Sequence, residues 1–117
     1  MTVKECYEAM GANYDDVAGR LRKDERIRKF LLKLPDDKSY DLLLKSLDER
    51  NMEEAFRAAH TIKGTCLNLS LTTLYRSASQ LSDRLRDRRE YDVDIEPLLE
   101  QLKKDYTHML TCIAALL

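Results

Sequence analysis

The sequence predicts an all-α fold: an antiparallel up-down-up-down four-helix bundle with short N-terminal helices covering one end. The chain of 117 residues holds only two prolines and three glycines, and it has no Asn-Gly or Asp-Gly pair of the kind that marks a β-hairpin. Its apolar residues recur at steps of three and four instead of two, which is the spacing of amphipathic helices. Short connections between long helices favour antiparallel neighbours and therefore predict a bundle.

The first predicted helix is short and opens the chain. Thr2 and Glu5 have the spacing of a capping box, in which each side chain accepts from the other's backbone N–H. Gly11 is a typical residue for the end of a helix. The apolar face between them consists of Val3, Cys6, Tyr7 and Met10.

A second helical stretch begins at Tyr14, so that the N-terminal helices together occupy about residues 2–34. It ends before Pro35, because proline disfavours a helical backbone in the residue that precedes it. The pattern is compatible with one helix or with a break near Lys23 and Asp24. Its apolar positions are Val17, Leu21, Ile27, Phe30, Leu31 and Leu34.

The predicted bundle spans about residues 39–116. Ser39 is placed to cap its first helix, which continues to about Arg50 with Tyr40, Leu43, Leu44 and Leu47 facing inward. Asp94 is placed to cap the last helix, with Pro97 in the permissive first turn. The inward residues of that last helix are Ile95, Leu98, Leu99, Leu102, Tyr106, Met109, Leu110 and Ile113.

The two central helices of the bundle show the clearest core-facing stripes. The first stripe, in the segment 52–69, consists of Met52, Ala55, Ala59, Ile62, Cys66 and Leu69. After a reversal near residues 68–70, the second consists of Leu71, Leu74, Ala78, Leu81 and Leu85. The repeated three and four spacing predicts two helices that bury one side each.

Length and charge predict a single domain, residues 1–117, with no nucleic-acid or membrane partner. The 20 basic and 21 acidic residues leave a formal net charge of -1, and the basic run at residues 84–89 fits cations at a helix C-terminus better than a nucleic-acid patch. No stretch approaches the roughly 20 apolar residues that span a bilayer. At least one of Cys6, Cys66 and Cys112 is unpaired in a monomer, which fits a reducing compartment. We therefore expect a cytoplasmic monomer.

His60 stands out because it lies about 130° from the centre of the core-facing stripe on its own helix, at 100° per residue. It is therefore predicted to face water. A second stripe, within about 60° of His60 on the same projection, consists of Glu53, Phe56, Arg57, Lys63, Gly64 and Leu67.

The composition of this stripe favours phosphoryl transfer. A glycine inside a helix costs roughly 1 kcal/mol relative to alanine, so Gly64 suggests a need for space beside the imidazole. Lys63 can bring a cation to anything attached to the ring. Phe56 and Leu67 add exposed apolar surface for a partner, with Glu53 and Arg57 beside them. Phosphoryl transfer depends mainly on positioning and charge neutralisation, so this set is sufficient.

These residues resemble a known family, the histidine-containing phosphotransfer (HPt) domains. The resemblance covers about residues 39–115, and its signature is Ala59-His60-Thr61-Ile62-Lys63-Gly64, followed by Asn68-Leu69. It implies that His60 carries the phosphoryl group, that Lys63 stabilises its charge and that Gly64 permits close approach. Two departures are Ser70, where members usually have a second glycine, and Leu67, where smaller residues are common.

The same resemblance implies a phosphorelay intermediate that exchanges a phosphoryl group with an aspartate of a response-regulator receiver domain. A hybrid histidine kinase is the second expected partner. The chain is expected to bind no cofactor of its own, with Mg²⁺ on the receiver domain. It is interpreted as a phosphocarrier and not an enzyme, because it has no Walker-type or other glycine-rich loop for ATP.

Two other functions are alternatives to phosphotransfer. One is a helical adaptor that binds a signalling partner through the face of Phe56 and Leu67 without carrying phosphate. The other is a di-iron site, which in helical bundles uses paired Glu-x-x-His motifs. Arg57 and Asp105 occupy the glutamate positions before His60 and His108, so the metal site is disfavoured. His108 is interpreted as a structural or surface residue.

Overall fold

A computed structural model describes residues 1–116 of the chain, and every regular element in that range is a helix, with no strand. The predicted all-α class is confirmed. A short 3-10 turn, Leu34–Asp36, follows the third α-helix. The α-helices are α1 (Val3–Met10), α2 (Tyr14–Leu21), α3 (Asp24–Lys33), α4 (Ser39–Asp48), α5 (Met52–Leu69), α6 (Thr72–Leu85) and α7 (Ile95–Ala114).

The helices α4 to α7 pack in chain order, α4 against α5, α5 against α6 and α6 against α7, while α1 lies against α7. One continuous apolar core extends from Val3 to Leu116 and includes residues of all seven helices. The stripes on α5 and α6 that the three and four spacing predicts are buried. The packing leaves one side of α5 outside this core.

Helix α1 begins and ends at residues with clear capping chemistry. Thr2 and Glu5 form a reciprocal capping box at the start of α1. Gly11 follows α1 with a φ of 64°, and a Cβ at this position would lie 2.9 Å from the Thr73 hydroxyl oxygen. Both the left-handed backbone and the close approach of α6 therefore require glycine here.

The second helical stretch is interrupted between α2 and α3, where Arg22 has a φ of 69°. A new helix begins after the interruption, and α3 buries Ile27 and Leu31 in the core. The sequence pattern places Phe30 among the apolar positions of this stretch, yet 42% of its surface is exposed. Phe30 is one residue, or about 100°, away from Leu31 on the helix, which places it on the outer side.

The two predicted bundle caps, Ser39 and Asp94, are wrong. Ser39 is already the first helical residue, and its backbone N–H donates to the Asp37 carboxylate at 2.8 Å. Asp94 occupies the position before α7 but caps no backbone N–H; its carboxylate accepts from Arg84 at 2.6 Å and from Arg88 at 3.3 Å. Charge-assisted bonds to guanidinium groups are stronger than bonds to a neutral N–H. The Asp94 carboxylate therefore binds the two arginines instead of capping α7.

The carboxyl end of α5 is satisfied by side chains from the N-terminal helices. The last carbonyls of a helix have no partner within the helix. Here the Arg20 guanidinium donates to two of them, those of Leu67 at 2.9 Å and Asn68 at 3.0 Å. The Tyr7 hydroxyl donates to a third, that of Leu69, at 2.8 Å. Residues far apart in the sequence therefore fix this end of the helix.

Ser70, directly after α5, ties the same end to α2. Its backbone is left-handed, with a φ of 57°, a conformation that is costly for residues other than glycine. Its hydroxyl donates to the Asp16 carboxylate at 2.6 Å and accepts a hydrogen bond from Arg20, which also pairs with Asp16. The bond from Ser70, and then that from Arg20, lower the pKa of Asp16. These hydrogen bonds offset the free-energy cost of the left-handed backbone at Ser70.

Candidate functional site

His60 lies in the middle of α5 and is exposed, while its neighbours Ala59 and Ile62 are buried. This is the orientation that the helical projection predicts. Among residues 1–116, no group donates to or accepts from the imidazole nitrogens, whereas several other polar side chains on α5 have partners. The ring nitrogens are therefore free for chemistry with a group outside the chain.

The His60 imidazole packs against Phe56, one turn earlier on α5. The two ring centroids are 5.7 Å apart, with an angle of 26° between the ring planes. The Arg86 guanidinium, just after α6, lies over the Phe56 ring with its Cζ 5.2 Å from the centroid. Phe56 itself is half-buried and contacts the core. The structure thus joins His60 to the next helix through an aromatic ring and a cation.

Lys63 and Gly64 lie on the exposed side of α5 next to His60. Lys63 is half-buried, and no carboxylate in the described part of the chain comes within 4 Å of its ammonium group. A Cβ built at Gly64 meets no atom within 4 Å. The space beside the imidazole is therefore open, and a cation without an ion-pair partner is near it.

The remaining members of the predicted stripe divide into a charged cluster and an apolar residue. Arg57 donates to the carboxylates of Glu53 and Glu54, each at 2.9 Å, so its charge is largely neutralised within its own helix. Leu67 is 57% exposed and presents apolar surface to solvent. Arg86, which lies over the Phe56 ring, also has an ion-pair partner, the Asp83 carboxylate at 3.8 Å. Lys63 is therefore the cation of the stripe that is left for an incoming anion.

Two features of this region were missed by the sequence interpretation. In the sequence, Arg86 is one of the cations of the run at 84–89, and no local pattern connects it with Phe56. The other is a cavity of about 440 Å³ beside α5, which the exposed Phe30 helps to line. Its other lining residues are Arg20, Leu21, Lys33, Leu34, Asp37, Thr65, Asn68 and Leu69. Phe30 and Leu31 are adjacent and so lie about 100° apart on a helix, which could have indicated that the Phe30 ring faces outward.

His108 is engaged in a contact between helices. Its Nε2 lies 2.8 Å from the carbonyl oxygen of Ala9, so this nitrogen carries a proton and donates to the end of α1. It therefore cannot take the proton of the Cys112 thiol, 3.6 Å away. Burial raises the pKa of Cys6 to about 11 and that of Cys66 to about 12. These groups form no activated nucleophile.

Within residues 1–116 no three His, Cys, Asp or Glu side chains are grouped as metal ligands. Over the same range, every helix is too short or too polar to cross a bilayer. What the exposed side of α5 offers is a nucleophilic nitrogen, an adjacent cation and open space. Those are the requirements for accepting a phosphoryl group from a partner protein.

Comparison with protein families gives one match. The model described as Hpt domain matches residues 26–112. That range contains all of α4, α5 and α6, most of α3 and α7, and the whole stripe around His60. Searches of curated proteins and of solved structures found no match.

Proposed function

The chain belongs to the family of histidine-containing phosphotransfer (Hpt) domains, and we propose that His60 accepts a phosphoryl group and exchanges it with an aspartate of a response-regulator receiver domain. Histidine phosphotransfer in a two-component phosphorelay is the activity of this family. The observation that carries the assignment to His60 is its exposed imidazole, whose nitrogens have no partner in residues 1–116, beside Lys63 and Gly64.

The transfer is a substitution at phosphorus. A neutral imidazole nitrogen of His60 attacks the phosphorus of the receiver's aspartyl phosphate. The N–P bond forms as the P–O bond to the aspartate breaks, and the aspartate leaves as a carboxylate. The proton already on the second ring nitrogen stays there, so no base is needed, and the reverse reaction regenerates neutral His60.

The neighbours of His60 have separate roles in this proposal. Lys63 brings its ammonium group to the phosphoryl oxygens and offsets their charge. Gly64 leaves room for the receiver to approach along α5. The surface that the receiver contacts is formed by Glu53, Phe56, Arg57 and Leu67, of which Leu67 is the most exposed apolar member.

We further propose a cytoplasmic monomer that exchanges phosphate with a hybrid histidine kinase and with a receiver domain. The receiver supplies Mg²⁺ at its own aspartate, and this chain binds no cofactor. The three cysteines are free, which suits a reducing compartment.

For the fold, we propose that α4 to α7 form an antiparallel up-down-up-down bundle with α1 to α3 covering one end. The packing in chain order and the bonds from Tyr7 and Arg20 to the end of α5 support it.

His60→Gln should abolish phosphoryl acceptance without unfolding the protein, because the side chain lies outside the core. The measurement is incubation with a phosphorylated receiver domain, followed by detection of acid-labile, base-stable phosphate on the chain. Melting temperature by circular dichroism should remain within about 2 °C of wild type, as for most exposed substitutions.

The matched control is His108→Gln, which replaces the chain's other histidine and should leave labelling intact. Labelling that persists in His60→Gln would refute the assignment. A wild-type chain that binds a receiver but never becomes labelled would instead favour a helical adaptor acting through the same face.

A further inference from the structure

We propose that Phe56 is a positioning residue for His60, holding the imidazole so that a ring nitrogen points toward the incoming phosphorus, and that Arg86 in turn holds Phe56. This rests on the proposed phosphotransfer and adds two residues to it. The observation behind it is the continuous contact from Arg86 to Phe56 to His60, with separations of 5.2 and 5.7 Å.

The geometry of the ring contact suits a nucleophile. The lone pair of an imidazole nitrogen lies in the plane of the ring, whereas a stacked neighbour covers the face. At 26° between planes, Phe56 packs against the face of His60 and leaves the edge with its nitrogens accessible. A hydrogen bond would restrict the ring equally well, but it would occupy a nitrogen. Aromatic packing is the contact that orients the imidazole and preserves both.

His60 needs such a contact because nothing else in the described chain restrains it. An exposed side chain on a helix samples several rotamers, and only some of them direct a nitrogen away from α5. Phe56 is half-buried and contacts the core, so its own ring is restricted. The Arg86 guanidinium, which directly follows α6, lies over the Phe56 ring and adds a second restraint on that ring.

Leu67 provides the comparison within the same stripe. Its side chain is 57% exposed and has no aromatic contact with His60, so it can serve only as docking surface. If Phe56 were docking surface alone, its removal would weaken partner binding as removal of Leu67 does. If it orients the imidazole, its removal lowers the rate of transfer in the bound complex.

The test is single-turnover transfer from a phosphorylated receiver domain to an excess of the full chain, because each chain takes up one phosphoryl group. The maximal rate constant, written kcat below, and the half-saturating concentration of the chain, written KM, are determined separately. Phe56→Leu keeps an apolar side chain but loses the flat ring. We expect kcat to fall roughly three- to ten-fold, the worth of an aromatic pair, with KM within two-fold of wild type. Phe56→Tyr should restore kcat. Leu67→Ala should raise KM and leave kcat unchanged.

Arg86→Gln should lower kcat in the same way by a smaller factor, while Arg84→Gln, whose guanidinium binds Asp94 instead, should not. In the unphosphorylated protein, the ring current of Phe56 should displace the NMR signals of the His60 ring protons. That displacement should vanish in Phe56→Leu and persist in Phe56→Tyr.

Three results would overturn the inference: a Phe56→Leu change confined to KM, no rescue by Phe56→Tyr, or imidazole signals that are the same in Phe56→Leu and wild type. In each case a wild-type chain that is labelled on His60 leaves the proposed function standing. A wild-type chain that cannot be labelled overturns phosphotransfer itself, and the positioning role with it.

Discussion

Gly64 lies inside α5, where the free protein gains nothing from a glycine. The Cβ of an alanine would meet no atom within 4 Å, so internal packing does not require the absent side chain. Glycine in a helix interior nevertheless costs roughly 0.5–1 kcal/mol relative to alanine. Gly19 in α2 has equally open surroundings, so what distinguishes Gly64 is its place one turn from His60.

Gly64→Ala should therefore stabilise the folded chain by about 0.5–1 kcal/mol and impair transfer from a receiver domain. The opposite signs arise because the methyl group is harmless in the free protein but occupies the space beside His60. Urea denaturation measures the first effect and transfer kinetics the second.

Gly19→Ala is the matched control, because a Cβ at Gly19 in α2 also meets nothing within 4 Å. It should stabilise the chain by a similar amount and leave transfer unchanged. Equal transfer rates in Gly64→Ala and Gly19→Ala would contradict the role given to Gly64.

At the scale of single elements, α5 is held at its carboxyl end by contacts from other helices. Arg20 and Tyr7 donate hydrogen bonds to its last carbonyls. Ser70 has a left-handed backbone, and its hydroxyl donates to Asp16. The usual solution at such a position is glycine, which has no left-handed strain. Here hydrogen bonds of the serine side chain compensate for strain in its backbone.

Ser70→Ala should destabilise the chain by about 1 kcal/mol, because it loses the buried hydroxyl's hydrogen bonds and keeps the strain. Ser70→Gly should be close to wild type, since relief of left-handed strain, about 1 kcal/mol, offsets that loss. Asp87→Gly is the control: Asp87 has a φ of 58° and no side-chain bond within residues 1–116, so glycine there should stabilise. Equal stability of Ser70→Ala and wild type would refute this account.

The penalty of Ser70→Ala should also depend on pH. The bond from Ser70 lowers the pKa of Asp16 in the folded chain. A carboxyl with a lowered pKa contributes its stabilisation above its unfolded pKa, about 3.9, and loses it as the pH falls through the folded value. The difference between Ser70→Ala and wild type should accordingly be greatest near neutral pH and shrink in acid.

At the scale of the whole molecule, the N-terminal helices and the bundle share one core. Val17 of α2 and Ile27 of α3 are fully buried in the same cluster as the residues of α5 to α7. Arg28 of α3 donates to the carbonyl of Leu116, which follows α7. A shared core predicts that the chain unfolds as a single unit.

Ile27→Ala should therefore lower the free energy of unfolding of the entire chain by about 2–4 kcal/mol, the usual cost of such a cavity. Phe30→Ala, on the outer side of the same helix, should cost about 1 kcal/mol or less. Urea denaturation followed by circular dichroism and by tyrosine fluorescence should give coincident transitions in both variants. Separate transitions would show that the N-terminal helices form a unit of their own.

The exposure of His60 and the burial of the α5 and α6 stripes could be predicted because they depend only on helical periodicity. A rotation of 100° per residue places Lys63 and Gly64 beside His60 in any straight helix. The cap at Asp94 failed because Arg84 and Arg88, outside the local window, bind its carboxylate. The cap at Ser39 failed for a local reason: its backbone N–H binds the Asp37 carboxylate, and Ser39 is itself the first residue of α4. The inward position of Phe30 failed because the ring lies at the edge of the apolar face of α3, about 60° from Ile27 and 100° from Leu31, which are the buried residues.

By itself, the sequence determined the all-α class, the family and the side of α5 that carries His60, since each depends on spacing along one helix or on one contiguous motif. Only the tertiary structure decided that Arg86 reaches Phe56, that Arg20 and Tyr7 bind the end of α5 and that Phe30 lines a cavity. These contacts join residues of different helices. Their existence depends on how the helices are rotated and packed against one another, which no local pattern specifies.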